Sequence, residues 1–541
     1  MRHFSRLMRR FCSDRRGNIA VIFAIACVPL ISAVGCAVDY SLATRMKEKL
    51  QSAADAAGVA SISENSPGYL AAAAMTGDGS VAAAVTDANK VFDGNVSTTS
   101  GYTNLSRTST VTKTGIKLTS NVTFSADVPV TFMKILGYQK ITVTGSSSSS
   151  ASFTPYLDFY LTLDVSGSMG LPSTPAEAVR MQNINPDNFV QYPTGCTLAC
   201  HFAPQNSACT DNGTQRYKTN NYCMGYVYSR LSQTALAALI NQPSTTSVPK
   251  QQRPGLPNAM LPNLNTAVTP GSPNSLLTGN SSSLPYSLPA ATSCPTDGTD
   301  ACIQLRLDAV GYAVNQLLAT ANNKEIVSNQ FRVGLYPFIR YLNPNYFPLT
   351  TAITGSAIQN AAANLATLLD TNTDPNLGSG GTHIDTALNS INTLITSVGS
   401  GSSSTNTLPY VFLVTDGAQD PQVNDLSGNW SGSNHATVIA SPGSTVNPGT
   451  SPCAALRARG IMVSVLYIPY QTINPVNTSF ANDEDDYANW NIPNIPASLQ
   501  GCASPPDAGG SYFYTANSPA EINASLQAMF NHSLKIAHIT N

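Results

Sequence analysis

From Ile19 to Val38 the chain carries no charge and is almost wholly apolar (IAVIFAIACVPLISAVGCAV). At 1.5 Å per residue such a run spans about 30 Å, the thickness of a bilayer hydrocarbon core. Arg2, Arg6, Arg9, Arg10, Arg15 and Arg16 precede it against the single acid Asp14, and the next cation after it is Arg45. Positive charge stays on the cytoplasmic side, so the pattern predicts one uncleaved transmembrane helix, residues 19–38, after a cytoplasmic basic segment, 1–18. A cleaved signal peptide wants a shorter apolar region and a small-residue cleavage site. A lipoprotein reading would use Ala33-Val34-Gly35-Cys36, with Ala where Leu is usual. A buried core helix leaves the flanking arginines without a role. Leu42, Met46, Leu50, Ala53, Ala54 and Ala57 then recur at helical spacing, predicting an Ala-rich amphipathic stem over 39–60.

Beyond the stem the periodicity changes. Thr110–Ala126 (TVTKTGIKLTSNVTFSA) alternates in strand fashion, as does Gln139–Thr144, with a short helix expected between them over Val128–Leu136. These define a small α+β stalk, 61–146. The serine run Ser146–Ser150 reads as a flexible linker, 147–153. Apolar strands then alternate with helices: strands at Leu157–Leu163, Phe331–Ile339, Tyr410–Thr415, Ile461–Ile468 and Tyr512–Thr515, and helices at Leu305–Ala319, Ile384–Ile395, Ala454–Arg459 and Pro519–Leu534. Tyr410–Thr415 lacks polar alternation, as expected of a buried parallel position. This order predicts an α/β domain over 154–540, a doubly wound parallel sheet with right-handed crossovers. A Pro-, Asn-, Ser- and Gly-rich stretch, 171–300, interrupts it after the first strand and is far longer than an ordinary loop. Its part 268–292 reads as disordered, and 418–450 as a second, shorter polar loop.

Composition narrows the picture. Only 11% of the 541 residues are charged and the formal net charge is −2. Nucleic acid lacks its basic footprint as a main partner, and disorder driven by charge is excluded for the whole chain. Cys12, Cys27 and Cys36 lie before or within the apolar run. Cys196, Cys200, Cys209, Cys223, Cys294, Cys302, Cys453 and Cys502 lie beyond it, an even set that reads as disulfides in an oxidising space, with connectivity open. Cys196-x-x-x-Cys200-His201 has one residue too many for a haem attachment site, and a zinc site on Cys196, Cys200, Cys209 and Cys223 would expose neighbouring thiolates to oxidation.

The first strand of the α/β domain ends in Asp164-Val165-Ser166-Gly167-Ser168-Met169. In an extended turn alternate side chains converge, so Asp164, Ser166 and Ser168 offer a carboxylate and two hydroxyls, hard oxygen ligands suited to Mg²⁺, Mn²⁺ or Ca²⁺. Gly380-Gly381-Thr382 adds a hydroxyl before a helix, and Thr415-Asp416-Gly417 a carboxylate at a strand's carboxyl end. A parallel sheet brings such ends to one edge, where ligands bind. Asp416 as an ordinary turn residue, and Ser166 and Ser168 as helix caps, are the competing structural readings. Asp385 is a candidate for supporting the site from behind, and His383 reads as a surface side chain. There is no G-x-S-x-G around Ser168, no H-E-x-x-H and no phosphate-binding G-x-x-x-x-G-K, so an enzyme is not expected.

The pattern Asp164-x-Ser166-x-Ser168, then Thr382, then Asp416 resembles the metal-ion-dependent adhesion site of von Willebrand factor type A domains, over about 154–540. The resemblance implies metal-dependent binding: a divalent cation, Mg²⁺ first and Mn²⁺ or Ca²⁺ as alternatives, held by those five residues and open to a partner's carboxylate. The insertion directly after the site departs from that family. Arg16-Gly17-Asn18, Pro29, Val38-Asp39-Tyr40, and Leu50-Gln51 through Ala53-Ala54-Asp55-Ala56-Ala57 resemble the TadE/TadG-like module of Flp (tight adherence) pilus assembly, over about 15–60. Pilin-like relatives carry a Glu five residues past a Gly cleavage point, where this chain has Ile22. Together the resemblances imply a TadG-like inner-membrane protein of a Gram-negative bacterium with a periplasmic body that binds a pilus or envelope protein. The alternatives are a structural envelope scaffold with an occluded metal site and a surface adhesin for host ligands. Oligomeric state is open.

Overall fold

A computed structural model describes residues 18–184, 229, 232–234, 293–369, 376–378, 381–420, 423–424, 430–431, 451–470, 472, 489–507 and 509–539. The basic segment with Cys12, the cysteines Cys196, Cys200, Cys209 and Cys223, His201, Gly380 and most of the insertion lie outside the described residues. The chain divides into two compact units, 1–153 and 154–541.

In the first unit the apolar run and the stem form one helix, α1 (Asn18–Ala60), which continues through Pro29. Ile22, Phe23, Ile25, Val28, Leu30, Ile31 and Val34 are exposed along it, which contradicts a core-helix reading. Its carboxyl half buries Ala43, Met46, Leu50, Ala53, Ala54 and Ala57. Two shorter helices follow, α2 (Pro67–Ala73) and α3 (Ala82–Val96), with a two-residue strand between them, β1 (Gly79–Ser80). Strands β2 (Thr103–Thr114), β3 (Lys117–Pro129) and β4 (Lys140–Ser152) complete an antiparallel sheet in the order β1-β2-β3-β4.

Three expectations need correction here. Thr110–Ala126 is a hairpin rather than one strand: Gly115 takes a left-handed φ of 57°, and Thr114 pairs with Lys117. Val128 and Pro129 belong to β3, and only Met133–Leu136 forms a 3₁₀ turn. The linker 147–153 is strand through Ser152. Ser147 and Ser149 pair with Val122 and Ser120, and Phe153 is buried against Tyr69. The reason is close packing. A Cβ added at Gly58 of α1 would meet the Ser149 and Ser147 hydroxyl oxygens at 3.0 and 3.3 Å, so an Ala/Gly helix face approaches a sheet face of small side chains. Gln51 Nε2 donates to the Ser146 carbonyl at 2.8 Å across that contact.

The second unit is built on strands β5 (Leu157–Asp164), β6 (Phe331–Phe338), β7 (Phe347–Thr350), β8 (Leu408–Thr415), β11 (Met462–Tyr467) and β12 (Phe513–Thr515). A separate pair, β9 (Val423–Asn424) and β10 (Trp430–Ser431), lies between β8 and β11 in the chain. The main sheet runs β12-β11-β8-β5-β6-β7, with every pair parallel except β6–β7. Its helices are α4 (Pro175–Ile184), α5 (Arg306–Lys324), α6 (Ser356–Ala363), α7 (Ile384–Leu394), α8 (Pro452–Ala458), α9 (Ile495–Cys502) and α10 (Pro519–Ile539). Leu157, Phe159, Leu161 and Leu163 of β5 join one core with α5, α6 and α10. Tyr160 joins a second core with α7, α8 and α9. Helices on both faces explain the missing alternation in β8 and the burial of every residue of β5, its polar ones included.

The charged residue in the middle of β5 is paired. Buried Asp158 accepts from Arg332 Nε at 2.7 Å and Nη2 at 2.5 Å, and from the Thr407 hydroxyl at 2.5 Å. Disulfides Cys294–Cys302 and Cys453–Cys502 are formed, the second joining α8 to the end of α9. The two ends of the insertion meet: Arg306 N–H donates to Leu171 O at 2.8 Å and Ser173 N–H to Gln304 O at 2.9 Å. Buried Glu177 accepts from Arg180 Nη1 and Gly298 N–H, each at 2.6 Å, and from Gln304 N–H at 3.1 Å, locking that junction.

Candidate functional site

Central β5 ends at Asp164 and its neighbour β8 at Thr415, with Leu163 paired to Val414 one step earlier. That register sets Asp164 beside Thr415 and Asp416 at the carboxyl edge of the sheet. Asp164 is fully buried. Its Oδ1 accepts from Ser166 N–H at 3.0 Å and its Oδ2 from the Thr415 hydroxyl at 2.6 Å. The Thr415 hydroxyl accepts in turn from Gly417 N–H at 2.9 Å. Thr415 is therefore a positioning residue that the sequence pattern left without a role.

Gly417 is required by geometry. Its φ is +81°, and a Cβ there would collide with Ile495 and Leu499 of α9. The turn after β8 is thereby fixed with Asp416 on the edge.

After Asp164 the chain makes a 3₁₀ turn, Gly167–Gly170, starting at Ser166 with no side-chain cap, so the capping role proposed for that serine is not taken up. Instead the Ser166 and Ser168 hydroxyl oxygens lie 3.3 Å apart. Ser166 is buried and Ser168 half-buried.

Asp416 is also fully buried, and neither carboxylate oxygen makes a hydrogen bond of normal geometry. Burial raises its pKa first and the charge of Asp164 raises it further. The Ser168 hydroxyl, Arg306 and the Ala418 amide pull it back without completing such a bond. Burial likewise raises Asp164, opposed by its bonds to Ser166 and Thr415. Two adjacent buried carboxyls of this kind hold a proton or require a cation.

Thr382 joins the same edge through the backbone. It exchanges N–H to carbonyl bonds with Asp420 at 2.8 and 2.9 Å, and the next residue, His383, donates from its N–H to Ile339 O at 2.8 Å. His383 is half-buried rather than on the surface. Asp385 N–H donates to Gln419 Oε1 at 3.0 Å and its Oδ2 accepts from Gln419 Nε2 at 2.8 Å. Asp385 thus ties the start of α7 to the segment after Asp416.

Sequence reasoning also missed Arg306, the first residue of α5. Its Nη2 donates to Pro469 O at 2.9 Å, and Nη1 is buried without a partner. Burial lowers its pKa while Asp416, Tyr470 and Tyr467 raise it. Only the structure reveals it, because the insertion separates it from Asp164 in the chain while the meeting of the insertion's ends returns it to the site. Among the described residues no group of three or more His, Cys, Asp and Glu is placed to hold a metal. The donors gathered here are two carboxylates with hydroxyls.

The putative Flp pilus-assembly TadE/G-like family model matches residues 17–64, which include the whole of α1. That helix is a candidate membrane span by length and composition. No curated protein matches the chain. Among solved structures, the pilus adhesin SpaC from Lactobacillus rhamnosus GG overlaps at 13% identity and a TM-score of 0.30, over 81% of this chain and 36% of SpaC. The chain therefore spans about a third of the length of that adhesin. The PilB minor pilin from Streptococcus sanguinis, as its D319A mutant, overlaps at 9% identity and a TM-score of 0.30, over 82% of each chain. The vWF domain of the type V pili tip protein Mfa5 from Porphyromonas gingivalis overlaps at 14% identity and a TM-score of 0.26, over 43% of this chain and 88% of that one. Overlaps this loose fix neither fold nor function.

Proposed function

We propose that this chain is a membrane-anchored Flp/Tad pilus-assembly protein whose second unit is a doubly wound von Willebrand factor type A domain. It binds a pilus or envelope protein rather than catalysing a reaction. The observation that carries the reading is Asp416: a fully buried carboxylate with no normal hydrogen bond at either oxygen, beside Asp164 and the Ser166 and Ser168 hydroxyls. The donors are all hard oxygens, which fits Mg²⁺, with Mn²⁺ or Ca²⁺ as alternatives. Asp164, Ser166, Ser168, Thr382 and Asp416 would hold the ion. Bound there, it would supply a coordination position for a partner's carboxylate. The chain's own groups keep the donors aligned: Thr415 and the Ser166 amide fix Asp164, and Gly417 fixes the turn that carries Asp416. The pilus reading rests on the TadE/G-like match at 17–64. The arginines before the apolar run support a cytoplasmic amino terminus and a periplasmic body at the inner membrane.

The test is calorimetric Mg²⁺ titration of the full chain in detergent, wild type against Asp164→Ala, followed by capture of envelope proteins with and without chelator. Loss of both metal binding and chelator-sensitive capture in the variant is expected. Unchanged metal binding overturns the site. A structural scaffold with an occluded site is the second reading, favoured by the burial of Asp164, Ser166, Thr382 and Asp416. On that reading capture survives both chelator and Asp164→Ala.

A further inference from the structure

Between β3 and β4 the chain leaves the sheet as the segment 131–139. Phe132, Ile135, Leu136 and Tyr138 there are 38, 67, 55 and 58% exposed, and its 3₁₀ turn Met133–Leu136 buries no residue. A protein surface in water seldom concentrates large apolar side chains in so few residues.

The segment is held in place by an acid. Asp39 is the first charged residue after the apolar run and is nearly inaccessible to solvent. Its Oδ2 accepts from Phe132 N–H and Met133 N–H, each at 2.7 Å, and its Oδ1 from Thr131 N–H at 3.0 Å. These amides hold its pKa below the usual carboxylate value, against the larger opposing effect of desolvation and with help from Lys134. Phe132 lies directly on Gly35, where an added Cβ would collide with the ring. With Leu30, Ile31, Val34 and Val38 it lines one apolar groove on α1.

The turn is therefore pinned to α1 where the apolar run ends. Its exposed side chains continue the apolar surface that Ile22–Val34 present on the helix. Lys134 sits among them and is exposed. Apolar and aromatic side chains with a lysine, at the level where a spanning helix emerges, match the bilayer interface.

We propose that residues 131–139 form a foot that inserts Ile135, Leu136 and Tyr138 into the phospholipid leaflet from which α1 emerges. This rests on the reading of α1 as a membrane span. A helix alone is free to rotate about its axis, whereas a helix plus a foot fixes which side of the first unit faces the membrane.

The test uses the full chain with Trp430→Phe and Trp490→Phe, reconstituted in phosphatidylcholine–phosphatidylglycerol vesicles with brominated acyl chains, which quench nearby tryptophan. Three single reporters are compared: Leu136→Trp in the foot, Leu30→Trp in the span and Asn121→Trp at an exposed position of β3. Asn121 lies eight residues before Pro129, roughly 26 Å along the strand. The expected result is at least twofold quenching at positions 30 and 136 and none at 121. Quenching at 30 without quenching at 136 overturns the foot and leaves the span standing, as when another protein covers that face. No quenching at either overturns the span and the foot with it. Ile135→Trp repeats the foot measurement independently of any local disturbance at 136, and it too must be quenched.

Discussion

Replacing Thr415 with valine keeps the volume and removes one hydroxyl. That hydroxyl donates to Asp164 Oδ2 at 2.6 Å and accepts from Gly417 N–H at 2.9 Å, so the change strands a buried carboxylate oxygen and a buried amide. A hydrogen bond to a charged group contributes about 1.5–3 kcal/mol, and an orphaned buried donor costs about 1–3 kcal/mol. Burial raises the pKa of Asp164, so a proton offsets part of the first loss. A net destabilisation of about 3 kcal/mol follows. The two tryptophans, Trp430 and Trp490, both lie in the second unit, so tryptophan fluorescence during urea unfolding of the full chain reads that unit alone. If Asp164 is a metal ligand, losing the group that orients it weakens Mg²⁺ by about 10–100-fold. Thr415→Ser retains the hydroxyl and recovers most of both losses. Wild-type stability together with wild-type Mg²⁺ affinity in Thr415→Val would refute the positioning role.

Other consequences are open to measurement. Asp164 and Asp416 both have pKa values raised above 3.8, so the folded chain holds their protons longer than the unfolded chain. Without divalent cations, the stability that these two carboxyls contribute to the second unit is then fully present below about pH 4 and falls as pH rises through the raised values, to about 7 for Asp416. Saturating Mg²⁺ flattens that fall in denaturation midpoints taken across the range, and an equal fall with and without Mg²⁺ counts against the metal. Replacing Cys453 and Cys502 with serine opens a cross-link of sequence separation 49. The chain-entropy account gives a loss of about 4 kcal/mol, readable as a lower unfolding midpoint that reductant shifts less than it shifts the wild type, Cys294–Cys302 remaining in the variant. Arg332→Met leaves Asp158 buried without its guanidinium. The expected cost is about 3 kcal/mol, at the low end for broken buried pairs because the Arg332 side chain is 35% exposed. Gly417→Ala combines left-handed strain with overpacking on α9 and is expected to cost about 2–4 kcal/mol, with Mg²⁺ affinity falling too.

The buried parallel strand Leu408–Thr415 was legible because helices on both faces demand a run that is apolar almost throughout. Asp164, Ser166, Ser168 and Asp416 were legible because they end or follow such strands within a few residues, and Thr382 because Gly380-Gly381-Thr382 precedes a helix. The serine strand was not. Its side chains carry no hydrophobic alternation, since the helix face opposite offers Ala and Gly and selects small size rather than apolarity. The turn at Gly115 was hidden by threonines that keep the alternation running through it. Thr415 was visible as part of a motif, but its bonds to Asp164 and Gly417 depend on the register of β5 with β8. Arg306 was out of reach because proximity to Asp416 is created by the folding back of a long insertion, which leaves no local signal.

That folding back has its own consequence. Leu171 and Arg306 are hydrogen-bonded, and Pro172 pairs with Leu305, so the two ends of the insertion are joined at a closed neck. Chain length beyond a closed neck enters the free energy of the domain only logarithmically: doubling it costs about 0.6 kcal/mol. The neck therefore uncouples two rates of change. The edge that carries Asp164 and Asp416 is constrained residue by residue, while the chain beyond the neck, once core residues such as Met181 and the Glu177 bonds are kept, can lengthen or shorten at little thermodynamic penalty.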